Sequence, residues 1–109
     1  MPELEKKVFE ALELALKTGK VKKGANETTK ALERGLAKFV IIAKDVSPPE
    51  ITMHLSVLAK EKGVPIFQVE KKEDLGSAVG LEVATSSVAV IDFGEAEKLF
   101  KEIELAIKK

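Results

Sequence analysis

The sequence has no cysteine, a single histidine (His54), a single asparagine (Asn26), a single glutamine (Gln68) and no long apolar run. Without cysteine there is no disulfide, no thiol nucleophile and no cysteine metal site. With one histidine and no cysteine beside it, an imidazole-based metal cluster has no second ligand of its kind. A helix that crosses a bilayer needs roughly 20 consecutive apolar residues, and none of the runs here approaches that length, so no membrane role is expected. The opening Met1-Pro2-Glu3-Leu4-Glu5 lacks the basic start and apolar stretch of a signal peptide, which makes a cytoplasmic location the expectation. Scarce Asn, Gln and Cys beside abundant Lys and Glu resemble the composition of heat-adapted proteins. In that setting the one asparagine stands out.

What is present fits an ordinary folded chain. With 109 residues and 45% hydrophobic content, a single domain over residues 1–109 can bury a core of normal size. Charged residues make up 33%, 18 of each sign, and alternate with apolar ones, which describes a solvated surface rather than a disordered tail. The net charge of zero hides a local imbalance. Between positions 17 and 38, Lys17, Lys20, Lys22, Lys23, Lys30, Arg34 and Lys38 face only Glu27 and Glu33, seven cations against two anions.

Apolar periodicity orders the rest. Leu4, Val8, Ala11, Leu12, Ala15 and Leu16 predict an amphipathic helix over 3–17, ended by Thr18-Gly19-Lys20. Val21-Lys22-Lys23-Gly24 is too short to assign by pattern, but a brief extended segment fits, leading to Asn26 as the N-cap of a helix over 26–35. Phe39-Val40-Ile41-Ile42-Ala43 has the continuous apolar character of a strand covered on both faces and should be central. Ser47-Pro48-Pro49-Glu50 carries the pattern of a capping box for a third helix reaching about Lys62, with Ile51, Leu55, Leu58 and Ala59 inward. The strand Pro65–Val69, a short helix Lys72–Val79, an apolar loop Leu81–Thr85, the strand Ser87–Asp92 and a last helix marked by Ala96, Leu99, Phe100, Ile103 and Ile107 complete the chain. Strands alternating with helices predict an α/β fold, a three-layer α/β/α sandwich.

Catalytic chemistry finds little support. His54, one position before Leu55, is expected to flank the buried stripe as a partly buried structural histidine. Ser86 and Ser87 lack the G-x-S-x-G context of a nucleophile elbow. The glycines form neither G-x-G-x-x-G nor G-K-[ST], and no pair of carboxylates stands apart from the Glu/Lys mixture of solvated helix faces. The expectation is a non-enzymatic protein with no cofactor and no metal. The cationic stretch instead points to an anionic partner at the helix start that follows Gly24, where backbone N–H groups and the helix dipole face outward.

Lys23-Gly24-Ala25-Asn26-Glu27-Thr28-Thr29-Lys30-Ala31-Leu32-Glu33-Arg34-Gly35 resembles the kink-turn-binding ribosomal protein family, the archaeal L-seven-Ae type with its eukaryotic box C/D relatives. The likeness continues through Phe39–Val46, Pro48-Pro49-Glu50-Ile51, His54-Leu55, Glu61–Pro65, Asp74-Leu75-Gly76 and Gly80–Val83, in the family's order and spacing over roughly residues 18–92. The resemblance implies an α/β/α sandwich with a four-stranded mixed sheet that binds kink-turns, bent RNA stems with tandem sheared G·A pairs and a flipped-out nucleotide. It implies guanine contacts from Asn26, Glu27 and Lys30, at a turn opened by Gly24, and phosphate contacts from Lys23, Arg34 and Lys72. It further implies a pocket for the flipped-out nucleotide formed by Ile51 and the loop Leu81-Glu82-Val83-Ala84. The partners it implies are ribosomal RNA, box C/D and H/ACA guide RNA and RNase P RNA, with other ribonucleoprotein subunits, for a chain expected to be monomeric. Three positions depart from the family pattern: Ser47 and Lys44 stand where acidic residues are common, and Glu70 where proline or a basic residue is usual. The alternative is a protein-interaction scaffold of the same fold that has lost specific RNA binding.

Overall fold

A computed structural model describes residues 2–108; Met1 and Lys109, the ends of the expected domain, lie outside the described residues. The chain runs α1 (Pro2–Thr18), β1 (Lys20–Lys23), α2 (Ala25–Glu33), β2 (Phe39–Ala43), α3 (Glu50–Glu61), β3 (Ile66–Val69), α4 (Lys72–Ala78), β4 (Ser87–Asp92), a 3-10 turn (Gly94–Ala96) and α5 (Glu97–Ile107). The strands form one mixed sheet in the order β1-β4-β2-β3, with β4 antiparallel to both neighbours and β2 parallel to β3. The short segment before Gly24, unassignable by pattern, is the edge strand. Its pairing with β4 supplies the structure that its own four residues cannot specify.

All five residues of β2 are buried, as its unbroken apolar run demands, and alternate residues serve different layers. Phe39, Ile41 and Ala43 join Val88 and Val90 of β4 in a core covered by α1, α4 and α5. Val40, Ile42 and Ala89 point the other way, beneath Ala31 and Leu32 of α2 and Leu55 and Ala59 of α3. The α/β/α sandwich is therefore produced by one sheet with two apolar faces. On α1 the fully buried Val8, Ala11, Leu12 and Ala15 form the expected stripe, and Phe100 of α5 closes the same core against Phe39, with ring centroids 5.2 Å apart.

Two helix starts differ from expectation. The cap of α2 is Gly24, not Asn26, which lies inside the first turn and makes no side-chain capping bond. Gly24 takes φ 94° and ψ 160°, a conformation that side-chain-bearing residues avoid, and its carbonyl accepts the Thr28 N–H at 2.9 Å. The Ser47 capping box does not form either. Helix α3 begins at Glu50 behind Pro49, because Pro49 already has helical dihedrals and its carbonyl accepts both the Met53 N–H at 3.0 Å and the Thr52 hydroxyl at 3.2 Å. Packing against the sheet buries Thr52, Leu55 and Ala59. His54 is exposed rather than partly buried, and Ile51 and Leu58 are half-buried. No helix among the described residues is long and apolar enough to cross a membrane.

Candidate nucleic-acid interface

The strand directions decide which loops meet. The C-terminal ends of β1, β2 and β3 and the N-terminal end of β4 lie at one end of the sheet, since Lys23 is opposite Val88, Ile42 opposite Ser87, and Ala43 opposite Val69. The starts of α2, α3 and α4 and the loop before β4 therefore emerge together. Of the twelve residues singled out in the sequence, Lys23 ends β1, Gly24, Asn26 and Glu27 open α2, Ile51 and Lys72 open α3 and α4, and Leu81–Ala84 lie in the loop before β4; Lys30 lies in the last turn of α2 and Arg34 at its C-terminal cap, further along the helix.

Hydrogen bonds tie the segments to one another. Gly24 N–H donates to the Ser87 carbonyl at 2.8 Å, docking the turn into α2 on the start of β4. Behind that turn, the Ser87 hydroxyl donates to the buried Thr28 Oγ1 at 3.2 Å, and the Thr85 hydroxyl donates to the Ser87 carbonyl at 3.2 Å. These hydroxyls are buried and satisfied, and they hold α2 at a fixed height over the sheet. Asp45, just past β2, accepts the Lys72 N–H at 2.9 Å and so anchors the first residue of α4. The Lys72 carbonyl in turn accepts the Thr85 N–H at 3.2 Å. Gly24 and Lys72 are candidate site residues in the sequence; their partners Thr28, Asp45, Thr85 and Ser87 are not. A short polar run around Ser86, read only as a failed nucleophile motif, was the available signal.

Within this frame Asn26 and Lys30, one turn apart and exposed, line an open cleft of about 460 Å³ between α2 and α3, shared with Ile51 and His54. Glu27 is exposed on the adjoining face of α2, in line with Lys30 and Arg34 on a second, smaller groove. Lys23 and Lys72 are half-buried at the ends of β1 and the start of α4. Asn26 has no capping bond, and among the described residues neither Lys30 nor Arg34 forms an ion pair. Their polar ends are free to meet a ligand.

The loop from 81 to 84 divides its residues between core and solvent. Leu81 packs against the core under α4, its N–H donating to the Gly76 carbonyl at 2.9 Å. Glu82, Val83 and Ala84 are exposed, Val83 to 70%, so this β-branched side chain is presented outward. The loop can lie this low because Gly76 has no side chain: a Cβ there would come within 2.1 Å of the Val83 carbonyl oxygen. Lys44 and Glu70, two of the three departures from the family pattern, face each other with Nζ and Oε1 3.1 Å apart. Exposed as they are, they contribute little stability, but they cancel one another's charge.

The fold and its cationic strand-to-helix turn define a class of small α/β/α sandwich whose exposed polar groups gather at one end of a mixed sheet. The chain belongs to the ribosomal protein L7Ae/L30e/S12e/Gadd45 family, whose model matches residues 6–100. It is also similar to the solved structure of the Giardia lamblia 15.5kD RNA binding protein, with 31% identity and a TM-score of 0.88, covering 97% of this chain and 88% of that one.

Proposed function

We propose that this protein binds kink-turn RNA and holds it in its kinked form, as a non-enzymatic component of ribonucleoprotein particles. The observation that carries the reading is the placement of Asn26 and Lys30. Both are exposed on one side of α2, Asn26 in its first turn and Lys30 one turn further on, uncommitted among the described residues to capping or ion pairing, and together they line the cleft shared with Ile51 and His54. Membership of the family and the RNA-binding description of the Giardia relative support an RNA partner.

The geometry suits a distorted stem better than a regular one. The major groove of A-form RNA is too narrow for side chains, whereas a kink with non-Watson–Crick pairs opens it to a helix end. In this reading Asn26, Glu27 and Lys30 meet guanine edges with an amide, a carboxylate and an ammonium. Gly24 allows the backbone to come close, and Lys23, Arg34 and Lys72 neutralise phosphates. Ile51 and the loop Leu81-Glu82-Val83-Ala84 receive the unstacked nucleotide. The Lys44–Glu70 pair leaves the charge of this surface unchanged, which favours a working interface over a scaffold that has lost RNA. The particles proposed are the large ribosomal subunit and box C/D or H/ACA guide-RNA complexes, with RNase P RNA as a further host.

The mechanism is capture of a bent conformer from a flexible stem, in which the kinked population rises only through its differential affinity for the protein. A kink-turn RNA labelled at both stem ends tests it by energy transfer. Adding protein is expected to raise transfer to a plateau that tracks binding. Saturable binding with no change in transfer would overturn the capture mechanism.

A further inference from the structure

The edge strand builds a second cationic strip beside the face that carries Asn26. Val21 packs into the core on one side of β1, so Lys20 and Lys22 lie on the other, toward α2. There they meet Lys30 and Arg34 across a small groove of about 80 Å³ floored by Ile91. Four cations share this groove with one carboxylate, Glu27, a local excess of three positive charges on a chain of net charge zero. Among the described residues none of the four is in an ion pair. Asp92, opposite Lys20 in the sheet register, accepts the Gly94 N–H at 2.9 Å and is not among the residues lining the groove.

Lysine on an edge strand guards against unwanted strand pairing, and that accounts for β1 by itself. It does not account for Lys30 and Arg34 facing the same groove from a different element. The groove is far smaller than the roughly 300–1,000 Å³ of a small-molecule pocket. Its cations instead form two rows, repeating at about 7 Å along the strand and about 6 Å along the helix. Such repeats are comparable with the step between successive phosphates of a nucleic-acid strand.

We infer that this groove is a phosphate track for an RNA duplex stem continuing beyond the kink, with Lys20 and Lys22 as contacts additional to those of α2. The inference rests on the kink-turn reading and lengthens the footprint that reading requires. The test compares wild type with the Lys20→Gln/Lys22→Gln double variant on a kink-turn RNA with long stems and on versions with each stem cut back in turn. On the long RNA the variant is expected to bind on the order of tenfold more weakly at moderate salt, with the slope of log affinity against log salt reduced by about two. On the RNA lacking the tracked stem, variant and wild type should bind alike. Lys20→Arg/Lys22→Arg should retain wild-type affinity, and unchanged thermal midpoints in both variants exclude unfolding as the cause.

If the Gln variant matches wild type on every RNA while wild type still prefers the kink, the track is overturned and the kink-turn reading stands. An equal loss on long and shortened RNA would also overturn it, because the lysines would then act on the motif itself. Should wild type show no preference for the kink, the underlying reading fails and the track with it.

Discussion

Asn26→Ala and Lys30→Ala are each expected to weaken binding to a kink-turn RNA roughly tenfold to hundredfold, the loss that accompanies about 1–3 kcal/mol of base-edge recognition. Neither should lower the thermal midpoint. Asn26 is exposed and makes no capping bond, while Lys30 is exposed and unpaired among the described residues, so neither truncation removes a side-chain hydrogen bond or ion pair. The stability measurement is informative in its own right. Had Asn26 been the cap of α2, its loss would cost about 1 kcal/mol, a shift of several degrees in a domain of this size. With Gly24 in that position, the two readouts separate. Titration of labelled RNA beside a thermal melt of each variant checks both, and undiminished affinity in the two variants would remove α2 from the interface.

Gly76→Ala is expected to damage stability and binding together. Gly76 lies inside α4 with ordinary helical dihedrals, where alanine is normally the better helix former. Propensity predicts a stabilising substitution; the surroundings reverse that sign. The new methyl would meet the Val83 carbonyl oxygen at 2.1 Å and the Ala84 Cα at 3.2 Å, both backbone atoms that cannot swing aside as a side chain would. The loop must lift from α4, which weakens the Leu81 N–H bond to the Gly76 carbonyl and the Leu81 packing beneath it. Overpacking of this kind costs about 1–3 kcal/mol. Because the lifted loop also carries Val83, RNA affinity should fall even at temperatures where the variant remains folded. A melt and a binding titration at low temperature separate these effects. Wild-type values in both would show that the loop does not depend on its seat against α4.

The elements that depend on local pattern were legible in the sequence, and those that depend on partners were not. The strands at 39–43 and 87–92 declare themselves by continuous apolar runs, and the structure places them at those residues as the two inner strands. Strand β1 has no such signal, since three of its four residues are lysine and its identity comes from pairing with β4. Asparagine is a strong capping residue in isolation, but the chain leaving the edge strand takes a positive φ that glycine supplies, so the cap falls at Gly24, two residues before Asn26. A local signal also differs from the structure at Ser47, where the helix begins only after the second proline, and His54, beside the buried Leu55, is exposed. The candidate site segments are named by a resemblance; the bonds that hold them, Asp45 to Lys72 and Ser87 to Thr28, join residues far apart in the chain, so a local pattern does not reveal the pairing.

Recognition of a kinked motif, rather than of negative charge alone, is tested by the affinity of the protein for a kink-turn RNA against a control stem in which Watson–Crick pairs replace the sheared G·A pairs, at one fixed near-physiological salt concentration. A large preference for the kink-turn is expected, because only that RNA offers the sheared-pair base edges and the unstacked nucleotide. Equal and weak binding to both RNAs would contradict it, leaving a cationic patch that attracts phosphate without reading the shape of the RNA.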